Sequence, residues 1–281
     1  MIYKINADSF EPKDVLECGQ CFRWNKEENG SYTGIFGKSV LNVEKGEGKI
    51  IFRGICDSEK TIRKYFDLDR DYSNIKDTLS KVDQNLKTSI EYGAGIRLLN
   101  QDLWETIISF IISANNNIPR IKGIIERISK AYGNEIEFEG KKYYTFPTPE
   151  ELSKASVEDL RKTGLGFRDI RVFETTQMVL EKKVDIEELA KESTIDARNE
   201  LLTLSGVGPK VADCILLFST LKRFDVFPID VWVRRVMNDL YIHNPEEEKV
   251  NKKEIQKLAD EKFGNLQGIA QQYLFYWKRE A

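Results

Sequence analysis

Histidine is almost missing: His243 is the only one in 281 residues. A histidine-based catalytic triad, a multi-histidine metal centre or a zinc deaminase signature would each have to use this one side chain. It sits in LYIHNPEEE, beside a proline and an acidic run, where an exposed loop histidine is the simpler reading. Long apolar runs are missing too. None approaches the roughly 20 residues needed to span a bilayer. MIYKINADSF lacks the basic-then-apolar order of a secretory signal, so a cytoplasmic location with no membrane partner is expected. Four cysteines in such a chain do not make a disulfide framework. A formal net charge of -3 gives no global attraction to nucleic acid, although the charge at the contact surface is what decides that. Internal repeats and low-complexity segments are absent.

What is present fits a soluble globular chain, 41% hydrophobic and 32% charged, long enough for roughly two domains. SYTGIFGKSVLNVEKGEGKIIFRGI carries short apolar and β-branched runs broken by glycine, and its second part reads as a hairpin with a Gly-rich turn. This places a β-containing region at about 1–60. From about Thr61 the pattern turns helical. WETIISFIISA is apolar nearly all round and predicts a central buried helix. Asn115–Asn117 interrupt it, and Pro119 suits the first turn of the next helix. Further helices are expected at about 150–163, 168–182, 196–204, 209–219, 230–241 and 251–276. The class is α+β, mostly helical, with a small N-terminal antiparallel sheet. The expected division is a sheet-containing domain over 1–90 and a helical one over 91–281.

LECGQCFRW holds Cys18 and Cys21 in C-x-x-C spacing. A redox pair would more typically open a helix in a βαβ setting, and here the pair precedes a strand-like CFRW. Zinc would need two more ligands, and Cys56 and Cys214 are poorly spaced for it. A thiol oxidoreductase and an incidental spacing both remain open from these residues.

LLTLSGVGPKVADCILLF, Leu201–Phe218, is more informative. A helix runs into Gly206-Val207-Gly208, and Pro209 opens a second helix. Backbone N–H groups of Gly206, Gly208 and Lys210 at such a helix start would suit a phosphate. Lys210 and Cys214 share one helix face, being four apart. In FPIDVW, Asp230 follows a proline and precedes a helix, a good N-cap position. The plain reading is a helical corner, a solvated lysine and a cap. The chemical one needs Lys210 neutral, below its usual value of roughly 10.4, which burial favours. A neutral lysine beside a carboxylate and a phosphate site suggests attack on a nucleotide C1′ through a Schiff base.

These segments resemble the helix-hairpin-helix Gly/Pro–Asp DNA glycosylases, and more narrowly the 8-oxoguanine DNA glycosylase/lyases. GQCFRW, GIRLLNQD, SFIISANNNIPRI, GLGFRDIRV, LSGVGPKVADC, FPIDVW and AQQYLF carry the likeness in order along nearly the whole chain. It implies a helical glycosylase core with its hairpin at about 196–219, and excision of 8-oxoguanine from duplex DNA followed by β-elimination at the abasic site. A related glycosylase for another damaged base, or a non-catalytic hairpin DNA-binding protein, are the alternatives. Lys210 plus Asp230 separates the last, since phosphate binding alone does not need that pair.

Residue by residue, the resemblance implies Lys210 as nucleophile and Asp230 as the essential carboxylate. Gly19 supplies the carbonyl that meets the N7–H of 8-oxoguanine, and guanine presents an acceptor at that position. The C-x-x-C spacing is then incidental. Gln271 matches the reader of the base's Watson–Crick edge, Phe275 and Cys214 the two faces against the base, and Pro228 a pocket-lining residue. Asn115, Arg120 and Arg168 match residues at the gap and the orphaned cytosine, which implies a preference for the lesion opposite cytosine. Phe167 stands where relatives often carry Tyr, and Trp232 where some carry a phosphate-contacting histidine; Gly206 and Gly208 belong to the DNA-backbone contact. Carbonyls of Leu202, Leu204 and Val207 match a seat for a monovalent or calcium ion. No cofactor is implied, and no iron–sulfur cluster, since no cysteine follows Cys214. The expected partner is lesion-bearing double-stranded DNA, bound by a monomer, near the nucleoid in a prokaryote.

Overall fold

The computed structural model describes all 281 residues. Five antiparallel strands form the N-terminal sheet: β1 (Ile2–Ile5), β2 (Trp24–Lys26), β3 (Tyr32–Phe36), β4 (Ser39–Lys45) and β5 (Ile50–Ile55), in the order β1-β5-β4-β3-β2. The expected hairpin is β4–β5, with Val43 opposite Phe52 and the turn closed from Gly46 N–H to the Lys49 carbonyl at 2.8 Å. A short helix, Pro12–Glu17, leads into the loop before β2. A second pair, β6 (Glu135–Phe138) and β7 (Lys141–Tyr144), was not expected from sequence. Its turn uses Glu139 and Gly140 at φ 50° and 72°, the left-handed pair a tight hairpin needs.

Leu103–Ser113 is the buried central helix: every residue from Thr106 to Ile112 is buried, and Asp102 caps its start on Glu105 N–H at 2.8 Å. It stops at Asn115, at φ 51°. Asn117 then caps Ile118–Tyr132, with a proline in the first turn as expected. Two expected helices are broken. The span 150–163 divides into Pro149–Leu152 and Val157–Leu160, because Thr148/Glu151 and Ser156/Asp159 form separate capping boxes that each restart the chain. A wider turn, Arg161–Leu165, follows, with Gly164 at φ 93°. The span 251–276 is Lys252–Phe263 and Gln267–Glu280, divided at Gly264 (φ 52°, ψ -133°). The expected helix at 230–241 is regular only over Val231–Met237 and then widens over Asn238–Ile242.

Two apolar cores result. The smaller gathers Phe10, Trp24, Phe52 and Phe66 under the sheet, and the larger runs through the helices. The Leu16–Trp24 segment belongs to both. Cys18 and Phe22 lie in the larger core, Cys21 and Trp24 in the smaller. Arg23 and Lys122 fasten the join, Arg23 donating to Ser129 Oγ at 2.8 Å and Lys122 to the Trp24 carbonyl at 2.5 Å.

Candidate active site

The Gly206–Gly208 corner has the local geometry its residues demand. Gly206 sits at φ 83°, and a Cβ there would come within 2.8 Å of Arg171 Cδ. Gly208 differs: its φ of -96° suits any residue, and nothing lies within 4 Å of where a Cβ would be. The fold itself does not require glycine at 208. Pro209 then opens the Pro209–Phe218 helix.

Lys210, in the first turn of that helix, is half-buried, with its ammonium 5.4 Å above the Phe110 ring. Phe110 stacks in turn on Phe218 and meets Phe22 edge-on at 5.6 Å. Burial pushes the Cys214 thiol up to about 11. Cys214 first, and then Asp230, hold the Lys210 ammonium above the ordinary lysine value, while burial works the other way. The expectation that burial lowers this lysine is therefore reversed in the free protein by its neighbours. Asp230 Oδ1 accepts the Val233 N–H at 2.7 Å, so the cap is real. Its other carboxylate oxygen accepts no bond from the protein.

The candidate base pocket has two unclaimed polar groups. Gln271 is 6% exposed and its Oε1 is buried without a partner. Gly19, at φ 91°, has a carbonyl that accepts no hydrogen bond within the protein. Its α-carbon adjoins the half-buried Phe275: a Cβ at Gly19 would stand 3.5 Å from Phe275 Cε1 and 3.0 Å from Arg279 Nη1. Arg279 lies 5.2 Å from the Phe275 ring centroid. Gln271 and Phe275 are one turn apart on Gln267–Glu280, and Pro228 is buried just before Asp230. Cys18 and Cys21 are free and fully enclosed; their thiols donate to the Val15 and Leu16 carbonyls. Burial pushes Cys18 up to about 12 and Cys21 higher still, the reverse of what a reactive thiol requires.

At the far rim, Asn115 and Arg120 are exposed, and Arg120 Nη2 reaches the Gly164 carbonyl at 3.3 Å. Phe167 is 55% exposed and Trp232 39%. Arg168 departs from expectation. It is 1% exposed, and its guanidinium donates to the carbonyls of Ala114, Asn115 and Leu165. The turn at Asn115 leaves carbonyls that need donors, and Arg168 supplies them instead of facing outward. Around the hairpin, the Leu204 carbonyl already accepts Val207 N–H at 3.1 Å. No group of three or more His, Cys, Asp or Glu side chains is clustered to hold a metal. No helix is long and apolar enough to cross a membrane. Sequence reading missed Phe110, and also Lys252 and Lys253, which line one cleft with Pro209 and Lys210.

The hairpin helix with its lysine, the aspartate cap and the adjoining pocket define a class. Residues 108–263 match the family model of the HhH-GPD superfamily base excision DNA repair proteins. Residues 2–107 match the 8-oxoguanine DNA glycosylase N-terminal domain. The "Probable N-glycosylase/DNA lyase" of Methanothermobacter thermautotrophicus is 35% identical over 247 residues, covering 79% of this chain and 77% of that one. The N-glycosylase/DNA lyase of Saccharomyces cerevisiae is 33% identical, covering 83% and 68%. A solved structure of the Clostridium acetobutylicum 8-oxoguanine glycosylase/lyase, in complex with double-stranded DNA containing cytosine opposite 8-oxoguanine, is 42% identical with a TM-score of 0.92, covering 100% and 98%. The chain belongs to the 8-oxoguanine DNA glycosylase/lyase family.

Proposed function

We infer that this protein excises 8-oxoguanine from duplex DNA and then cleaves the strand at the abasic site. What supports the reading is a pair of groups without protein partners, the Gly19 carbonyl beside Phe275 and the buried Gln271 Oε1 one helical turn before it. A buried side-chain oxygen is normally paired, so the open Gln271 Oε1 together with the free Gly19 carbonyl suits a flat, polar-edged ligand. A base reaches them only after leaving the stack. Gly19 accepts the N7–H of 8-oxoguanine; guanine would set a lone pair against it and leave the carbonyl unpaired. Gln271 pairs with the Watson–Crick edge, Phe275 and Cys214 cover the faces, and Pro228 lines the wall.

Lys210 in its neutral form attacks C1′. The Nζ–C1′ bond forms, the glycosidic bond breaks, and the base leaves with a proton. Asp230 supports the cationic sugar. Ring opening gives an imine, loss of a C2′ proton expels the 3′ phosphate, and water then releases Lys210. Lys210 stands above the ordinary lysine value in the free protein, so it has to give up a proton before attack.

Asn115 and Arg120 face the vacated position and the orphaned cytosine, whose acceptor edge suits a guanidinium. Phe167 wedges the stack without a hydroxyl. Arg168 acts from within, holding the Asn115 turn. Gly206, Gly208 and Trp232 meet the backbone, and the Leu202, Leu204 and Val207 carbonyls seat an ion there. The protein acts as a monomer on DNA.

Borohydride trapping on an 8-oxoguanine:C duplex tests this, with undamaged G:C and Lys210→Gln as controls. A covalent adduct that requires both the lesion and Lys210 is expected. Trapping on an abasic duplex but not on the lesion would redirect the search to another base, and no adduct on either would remove Lys210 as nucleophile.

A further inference from the structure

The loop that carries Gly19 is held on either side of it. Gln272 Nε2 donates to the Cys18 carbonyl at 2.5 Å, and Gln101 Nε2 to the Gln20 carbonyl at 2.7 Å. The Gln20 side chain is fully buried and makes four bonds of its own, one of them from Nε2 to Cys18 Sγ at 3.3 Å. Its Nε2 donates to the Val15 and Arg97 carbonyls, each at 2.8 Å, and its Oε1 accepts Leu99 N–H at 2.8 Å. Of three consecutive carbonyls, the outer two are claimed and the middle one is open.

A peptide unit is rigid, so a backbone changes shape by rotating whole planes about the softer dihedrals. Turning over the plane between Gly19 and Gln20 changes Gly19 ψ, which glycine tolerates, and Gln20 φ, which would pass to positive values that a residue with a Cβ rarely adopts. Such a turn would withdraw the Gly19 carbonyl and present the Gln20 N–H in its place. An acceptor would become a donor. That reverses the sign of the one contact by which N7–H is told from a bare N7. Fixing the planes on both sides opposes the turn, because both neighbours would have to move with it.

The two clamps also set where the carbonyl stands. Gln272 is the residue after Gln271 on the Gln267–Glu280 helix. Gln101 donates as well to the carbonyl of Phe218 at 3.1 Å, the last residue of the helix that carries Lys210 and Cys214. One clamp therefore registers the loop to the helix presenting Gln271 and Phe275, and the other to the helix of the nucleophile.

We propose that Gln272 and Gln101 are positioning residues for base discrimination, holding the Gly19 carbonyl in place as the acceptor. This rests on the reading of Gly19 given above. The test uses Lys210→Gln protein, so that binding is measured without turnover, on duplexes bearing 8-oxoguanine, guanine, 7-deaza-8-oxoguanine or a tetrahydrofuran abasic analogue opposite cytosine. Adding Gln272→Met or Gln101→Met should lower the preference for 8-oxoguanine over guanine about tenfold, the worth of roughly one hydrogen bond. Affinity for the tetrahydrofuran duplex, which has no base to read, should hold and reports an intact fold. The proposal is overturned if neither variant changes the ratio more than about twofold while tetrahydrofuran binding is kept. It falls by a different route if the Lys210→Gln parent does not prefer 8-oxoguanine over its 7-deaza analogue, which has no N7–H, because then Gly19 is not the reader.

Discussion

Replacing Asp230 by asparagine separates two roles held by one side chain. Oδ1 caps the Val231–Met237 helix, and the charge acts on Lys210. Asparagine caps about as well as aspartate, whereas alanine loses about 1 kcal/mol. In a chain of this size that is a melting shift of about 2–4 °C. Asp230→Asn should melt within about 1 °C of the parent and Asp230→Ala about 2–4 °C below it. Both lose the carboxylate, so single-turnover excision should fall about 100- to 10 000-fold in each. A second effect runs in the opposite direction. Asp230 raises the Lys210 pKa, so removing it frees the amine at lower pH. The pH profile of borohydride trapping on an abasic duplex should shift downward in both variants. Calorimetry, quenched excision and the trapping profile give three independent readings. Excision by Asp230→Asn at the parent rate would reduce Asp230 to a cap. An asparagine variant that melts as low as alanine would show that charge, not the cap, carries the stability.

Glu105 lies 3.8 Å from Arg23 with its side chain 16% exposed, and burial pushes it up to about 7 against the pull of Arg23. The folded state holds its proton more tightly than the unfolded one. Its contribution to stability therefore grows as pH falls through about 7 and is lost above it. Glu105→Gln should stabilise the protein by about 2–3 kcal/mol at about pH 8; equal urea midpoints for the two proteins there would refute this. The buried Cys18 and Cys21 thiols should alkylate in native protein no faster than the chain unfolds, and prompt labelling by iodoacetamide would contradict their enclosure. Arg120→Ala should bring the C-to-A opposite-base ratio toward unity, and an unchanged ratio would count against its facing the orphaned base. Arg168→Gln should cost about 2 kcal/mol, from charged hydrogen bonds to part-buried carbonyls, read as a lower melting point; a parent-like melt would mean those bonds are worth little.

Local chemistry was the legible part. Gly206, Pro209 and the Asp230 cap announce themselves because turns and helix starts tolerate few residue types. The break in 150–163 was missed although its signal was present, since Thr148/Glu151 and Ser156/Asp159 are capping boxes in plain sequence. The break at Gly264 was obscured by helical residues on both sides. The β6–β7 pair was missed because its strands are only four residues each, although Glu135–Phe138 alternates polar and apolar and Glu139-Gly140 marks the turn. Contacts between distant segments left no local trace. Phe110 under Lys210, Arg168 turned onto the Asn115 carbonyls, and Gln272 and Gln101 on the Gly19 loop are visible only once the chain is folded.

The Leu16–Trp24 segment places alternate side chains in two cores, which bears on the order of assembly. A helical part that formed first would already carry Lys210 and Asp230. The Gly19 loop, in contrast, is completed only when Cys18 and Phe22 enter one core and Cys21 and Trp24 the other. A molecule with its helical core formed and its sheet core open would hold Lys210 and Asp230 without a placed Gly19 carbonyl, and the closing of the two cores on one nine-residue thread brings them together.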